Sequence, residues 1–153
     1  MEKKTTGTLT SVLKQAKPAD LQDYLSGEAS SLIVEDRPFA LYMRDLIRRN
    51  GLTQQEVFLS ADMSESYGYK LIAEEKRTKQ RDTILKLCFA AHLTLDEAQH
   101  ALTLYGMAPL YPKFPRDAIL MVAFNSRMYE LSDVDALLTE HHAETLYAGT
   151  SLE

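Results

Sequence analysis

One cysteine stands in the 153 residues, Cys88 in "ILKLCFAAHL". A lone cysteine excludes an internal disulfide and points to a reducing compartment. In that apolar setting Cys88 reads as a small buried hydrophobe, not a reactive thiol. No apolar run approaches the roughly 18 residues of a membrane span. The opening "MEKKTTGTLTSV" carries two lysines and no apolar stretch, so no secretory signal is expected and the expected compartment is the cytoplasm. His92, His100, His141 and His142 lack the spacing of a metal site. Neither a glycine-rich phosphate loop, nor a nucleophile elbow, nor a Cys/His pair occurs. Asp96-Glu97 reads as part of a helix cap, not as an acid/base pair. The chain is therefore read as a non-enzyme, with no catalytic residue, no metal and no cofactor expected.

Positive charge is also scarce. The net charge of -5 argues against sequence-independent coating of nucleic acid. Its distribution is uneven. Residues 1–36 hold four bases against six acids, and residues 87–153 hold three against nine. Residues 37–86 hold ten bases against seven acids and form the one net-positive third. A mildly basic block in an acidic chain suits local phosphate contact.

What is abundant is helical periodicity. Leu9, Val12, Leu13 and Ala16 mark a first short helix. Pro18 opens a second, with Leu21, Tyr24 and Leu25 on one face and Gly27 as its stop. "SSLIVED" at 30–36 reads as an extended linker. Asp36 is expected to cap a third helix, with Phe39, Tyr42, Met43, Leu46 and Ile47 inward and Asn50-Gly51 at its end. Thr53-Gln-Gln-Glu56 and Thr94-Leu-Asp-Glu97 are capping boxes. Ser64 caps the helix between them. Arg44, Arg48 and Arg49 read as a solvated face paired to Asp45 or Glu56.

The back half repeats. "RDTILKLCFAAHLTLDEAQHALT" (81–103) aligns without a gap on "RDAILMVAFNSRMYELSDVDALL" (116–138), with seven identities in 23 positions. Each unit reads as a helix, a turn and a second helix. "YGMAPLYPKFPRD" between them holds three prolines, which do not continue a helix. The Arg-Asp pairs at 81/82 and 116/117 are expected to be structural.

The order "TQQEV", Ser64, "YGYKLI", "RDTILKLCFAAHLTLDEA" resembles the Xre/Cro-repressor-like helix-turn-helix family, over about residues 37–104. The "RDAIL" half and the "APLYPKFPRD" connector look like a bacterial subgroup with an appended second helical pair. This resemblance implies an all-α fold, a lambda-repressor-like helix-turn-helix bundle followed by a repeated helical hairpin. It divides the chain into an N-terminal helical arm (1–36), a DNA-binding domain (37–105), a C-terminal helical pair (106–147) and a flexible tail (148–153). It implies a scaffold helix over 53–61 and a recognition helix over about 64–74, lying in the major groove. Carried over by position, Thr53 and Gln54 face the DNA backbone at a helix start. Ser64, Glu65, Ser66, Tyr67 and Lys70 are groove-facing, and Lys76, Arg77 and Lys79 are a phosphate-contacting wrist.

The chain departs from the family pattern at two places. Asp62 stands where glycine is usual in the turn; aspartate tolerates the left-handed conformation it needs. Gly68 stands where a β-branched core residue is usual when the alignment is made on Ser64. Aligning on Leu95-Asp96-Glu97 instead puts Tyr69 or Ile72 into the core. Glycine inside a helix costs about 1 kcal/mol against alanine, so Gly68 implies close approach of another helix or of a DNA backbone. Of Tyr67 and Tyr69, at least one is expected in the core.

The expected function is sequence-specific binding of double-stranded DNA by a homodimer that regulates transcription. The acidic C-terminal half would supply the dimerisation or protein-partner surface. The alternative is a protein-interaction adaptor that keeps the bundle without DNA binding; Glu65, Glu74 and Glu75 on the proposed recognition helix support it.

Overall fold

The computed structural model of the chain describes residues 6–27 and 37–147. Among these residues the fold is all-helical. It forms two units, Met1–Asp36 and Arg37–Glu153. The expected linker over 30–36, Asp36 as a cap and the tail over 148–153 lie outside the described residues. Among the described residues no helix is long and apolar enough to cross a membrane.

The first unit holds α1 (Thr6–Gln15), a 3-10 turn (Pro18–Asp20) and α2 (Leu21–Gly27). Pro18 stands at the first turn as expected, and Asp20 takes the backbone N–H of Lys17 at 2.8 Å. No residue of α1 is buried.

The second unit holds α3 (Pro38–Arg49), α4 (Gln54–Ser60), α5 (Glu65–Ile72), α6 (Arg81–Ala90), α7 (Leu95–Leu104), α8 (Pro115–Asn125) and α9 (Leu131–Glu140). Pro38 starts α3, with Arg37 as its N-cap. Each of these seven helices ends alike. A residue in the left-handed conformation follows the last turn, and the next N–H bonds back to the carbonyl five residues earlier, as from Met63 to Phe58 at 3.0 Å. The left-handed residues are Gly51, Asp62, Glu74, His92, Gly106, Arg127 and His142. Asp62, with φ 54, takes the role expected of it. Five of the seven have side chains, each bearing a left-handed strain of about 1–2 kcal/mol that the paired carbonyls offset.

Helices α3, α4 and α5 pack against one another, and α4 leans on α6 while α3 leans on α7. The core runs through Phe39, Met43, Phe58, Leu71, Ile72, Leu85, Phe89 and Tyr105. Cys88 lies wholly inside it, as expected. Asn50 at the end of α3 donates to the carbonyl of Ala91 at 2.8 Å, tying that end to the end of α6.

The repeat is built into the packing. Besides the contacts within each hairpin, α6 packs on α9 and α7 on α8. The two Arg-Asp pairs cross between units. Arg116 Nη1 and Nη2 donate to Asp82 at 2.9 and 2.8 Å. Arg81 donates through both its Nη atoms to Asp117. Phe89 stacks on Phe124, its counterpart in the repeat, with centroids 3.7 Å apart. Arg116 also holds the carbonyl of Glu144 at 2.9 Å, and Leu146 is buried beside it in sequence.

The gapless alignment fails in the second helix of each unit. Helix α6 maps onto α8 with an offset of 35, since Arg81 matches Arg116, but α7 begins at Leu95 and α9 at Leu131. One extra residue therefore sits in the α8–α9 turn. Buried Ala98 and Leu102 correspond to Val134 and Leu138, while Ala136 is exposed and Leu137 half-buried. Hydrophobic identity alone does not distinguish Leu137 from Leu138; burial does.

Candidate nucleic-acid interface

Two short helices and the turn Ala61–Ser64 make the candidate surface. Thr53 caps α4: its hydroxyl accepts from the Glu56 N–H at 3.1 Å. The glutamate does not behave as the capping box predicts. Its Oε1 accepts from the Thr53 hydroxyl at 3.1 Å instead. At α7 the box is complete, with Thr94 N–H on Glu97 Oε1 at 2.9 Å and Glu97 N–H on Thr94 Oγ1 at 3.2 Å. Ser64 caps α5 as expected, accepting from the Tyr67 N–H at 3.2 Å. Gln54 is half-buried, and its Oε1 has no hydrogen-bond partner among the described residues.

The register of α5 follows from burial. Gly68, Leu71 and Ile72 face the core. Gly68 is the position where α5 meets α4. A Cβ built there would lie 2.3 Å from Phe58 Cδ1 and 2.4 Å from Phe58 Cγ. The close approach implied by a mid-helix glycine is thus an aromatic ring of the neighbouring helix. Because Gly68 itself takes the core position, Glu65, Ser66, Tyr69 and Lys70 point outward. Tyr67 is half-buried against the core, whereas Tyr69 is 43% exposed with its ring edge-on to Phe58 at 4.9 Å. Tyr69 is the outward residue that alignment to a pattern missed; the three- and four-residue spacing from Gly68 to Leu71 and Ile72 was the signal that could have found it.

The expected recognition helix is shorter than 64–74. It ends at Ile72 because Glu74 turns left-handed, with φ 58, and the Glu75 N–H bonds back to the Lys70 carbonyl at 2.9 Å. That conformation swings Glu74 inward. Its side chain is 9% exposed and pairs with Arg77 Nη1 at 3.0 Å, while Oε2 lacks a partner among the described residues.

The basic wrist divides accordingly. Lys70, Lys76 and Lys79 are exposed, and Lys76 Nζ lies 5.2 Å from the centroid of the Tyr67 ring. Arg77 is tied to the body: its guanidinium lies 4.1 Å over the Tyr105 ring and donates to the Tyr105 carbonyl as well as to Glu74. Removing that pair leaves three lysines against Glu65 and Glu75 on residues 64–79. On α3, Asp45 binds Arg48 at 2.7 Å and Arg49 at 3.1 Å, the local pairing expected of that face.

Comparison with protein-family models, with curated proteins and with solved structures gave no match.

Proposed function

We propose that the chain is a sequence-specific duplex DNA-binding protein of the helix-turn-helix type that regulates transcription as a homodimer. The observation that carries this reading is the outward face of α5. Glu65, Ser66, Tyr69 and Lys70 project from a helix clamped by the Gly68–Phe58 contact and capped by Ser64. A reading head must be rigid to present base-specific groups in register, and these contacts make it so. In this reading Ser64, Glu65, Ser66 and Lys70 meet base edges, with Tyr69 joining them and half-buried Tyr67 supporting from beneath. Glutamate at 65 accepts from cytosine N4. Thr53 and Gln54 meet the backbone from the start of α4, and Lys76 and Lys79 meet phosphates. Arg77, tied to Glu74 and the Tyr105 carbonyl, fixes the wrist to the body. With three exposed lysines, the slope of log affinity against log salt is about -3 per monomer, so useful affinity requires two copies.

The adaptor reading draws on one specific observation: Arg77, though exposed, is spent on Glu74 and the Tyr105 carbonyl, while Glu65 and Glu75 stay exposed. Fragments selected from random DNA by the purified protein, followed by mobility shift at two salt concentrations, separate the two. Lys70→Glu with Lys79→Glu abolishes retention and leaves the circular dichroism spectrum unchanged. Absence of any selected fragment and of any shift by the wild-type protein refutes DNA binding and leaves the adaptor, whereas equal retention by that double variant refutes the placement of the interface at α5.

A further inference from the structure

Helix α6 is covered on every side beyond its first residue, its polar Asp82, Thr83 and Lys86 included. Asp82 through Ala90 are all covered. It owes this to three neighbours: α7 in its own hairpin, α9 from the other unit, and α4. Helix α8 is its counterpart, and it is apolar from Ala118 to Phe124. It has the first two kinds of neighbour, α9 and α7. Among the described residues no helix packs on it as α4 packs on α6. Leu87 is fully covered, but Val122, which matches it in the repeat, is 59% exposed. Thr83 and Lys86 are buried, whereas their matches Ala118 and Met121 are only half-buried. Phe114, 60% exposed, extends the stripe, and Tyr111 packs edge-on against it with centroids 5.2 Å apart. An apolar helix face with nothing over it marks an interaction surface.

Charge says what covers it. The outward stripe of α8 carries none. Lys113 and Arg127 are exposed at its two ends. Among the described residues of this otherwise acidic half no ion pair holds either of them, whereas the third base there, Arg116, is held by Asp82. A second copy packed antiparallel on this stripe would bring Lys113 of one chain toward Arg127 of the other, which disfavours self-association here. We infer that the outward face of α8 docks an amphipathic helix of another protein, one with acidic residues at both ends of its apolar stripe. That helix takes the place on α8 that α4 takes on α6. This inference is independent of DNA binding.

The test uses the full chain, labelled with 15N, and two synthetic helical peptides with the same leucine stripe, flanked at both ends by glutamates or by lysines. At low salt the glutamate peptide shifts the amide resonances of 111–127 and binds about tenfold more tightly than the lysine peptide, as two exposed ion pairs allow. Val122→Glu removes binding without lowering the melting temperature, because the side chain lies outside the core. Lys113→Glu with Arg127→Glu reverses the preference between the peptides. Shifts that map elsewhere, absent binding, or equal binding of both peptides overturn the inference. So does a dimer seen by sedimentation velocity that Val122→Glu dissolves, which would make a second copy the occupant. Mobility shift of DNA by Val122→Glu stays at the wild-type level, so failure here and failure of the DNA reading are told apart.

Discussion

Gly68→Ala tests the joint on which the candidate interface is built. In an exposed helix this change would stabilise by about 1 kcal/mol through helix propensity. Here the added methyl meets Phe58 Cδ1, Cγ and Cε1 at 2.3, 2.4 and 2.7 Å. Carbon atoms pack at about 3.5–4.0 Å, so each contact is too short by roughly an ångström. The ring cannot retreat cheaply, because Phe58 is fully buried and Cγ is the root of the ring rather than its tip. Overpacking of this kind costs about 1–3 kcal/mol, and three simultaneous contacts place it at the upper end. The net expectation is a loss of about 2 kcal/mol, read in urea unfolding as a lower midpoint at unchanged slope. In a domain of this size the melting temperature falls by about 8 °C. A double-mutant cycle with Phe58→Leu, a smaller side chain free to re-pack, then recovers at least about 1 kcal/mol of the cost. On the proposed DNA-binding function, affinity falls in Gly68→Ala folded well below its midpoint although no charge has changed, since α5 is pushed off α4. A Gly68→Ala protein more stable than wild type would refute the reasoning, because it would mean that the helices are not in fixed contact at this point.

The crossed ion pairs and the buried thiol give further tests. Arg81→Ala strands Asp117, whose side chain is 3% exposed, and lowers stability by about 3 kcal/mol in denaturant titration; Arg81→Ala with Asp117→Asn recovers part of that loss. Burial pushes the Cys88 thiol from its ordinary 9.0 up to about 12, so the folded chain keeps the proton that the unfolded chain gives up above 9.0. Stability is therefore fully present below pH 9 and declines as pH rises toward 12, and Cys88→Ala makes the alkaline decline shallower in urea midpoints measured from pH 8 to 10.5. Burial raises Tyr42 to about 12 as well, with the same sign, so a residual alkaline slope persists in that variant. In the native protein a thiol reagent modifies Cys88 only at the rate of global opening; fast labelling at neutral pH would contradict its burial.

Much of the helical layout was legible along the chain because caps and turns are local. Thr53, Ser64 and Thr94 cap through atoms three residues away, and Asp62 turns left-handed within its own hairpin. The structural role of the Arg-Asp pairs was legible from their place at helix starts and their recurrence. Their partners were not. That Arg81 holds Asp117 and Arg116 holds Asp82 depends on two hairpins meeting across residues 34–36 apart in the chain. The single residue by which α9 slips against α7 was also hidden, because Leu137 and Leu138 offer the same chemistry.

At the candidate site the same division holds. The amino-acid order alone determined that a capped helix, a tight left-handed turn and a second capped helix would occupy 53–72, with lysines after them, since each of those features is made by neighbours in the chain. Tertiary packing alone decided which faces look outward. Phe58 claimed the space at Gly68, Tyr105 claimed the Arg77 guanidinium, and Tyr69 rather than Tyr67 was left in solvent. The reason is that a side chain's neighbours across the fold, unlike its neighbours along the chain, are set only when the helices close on one core.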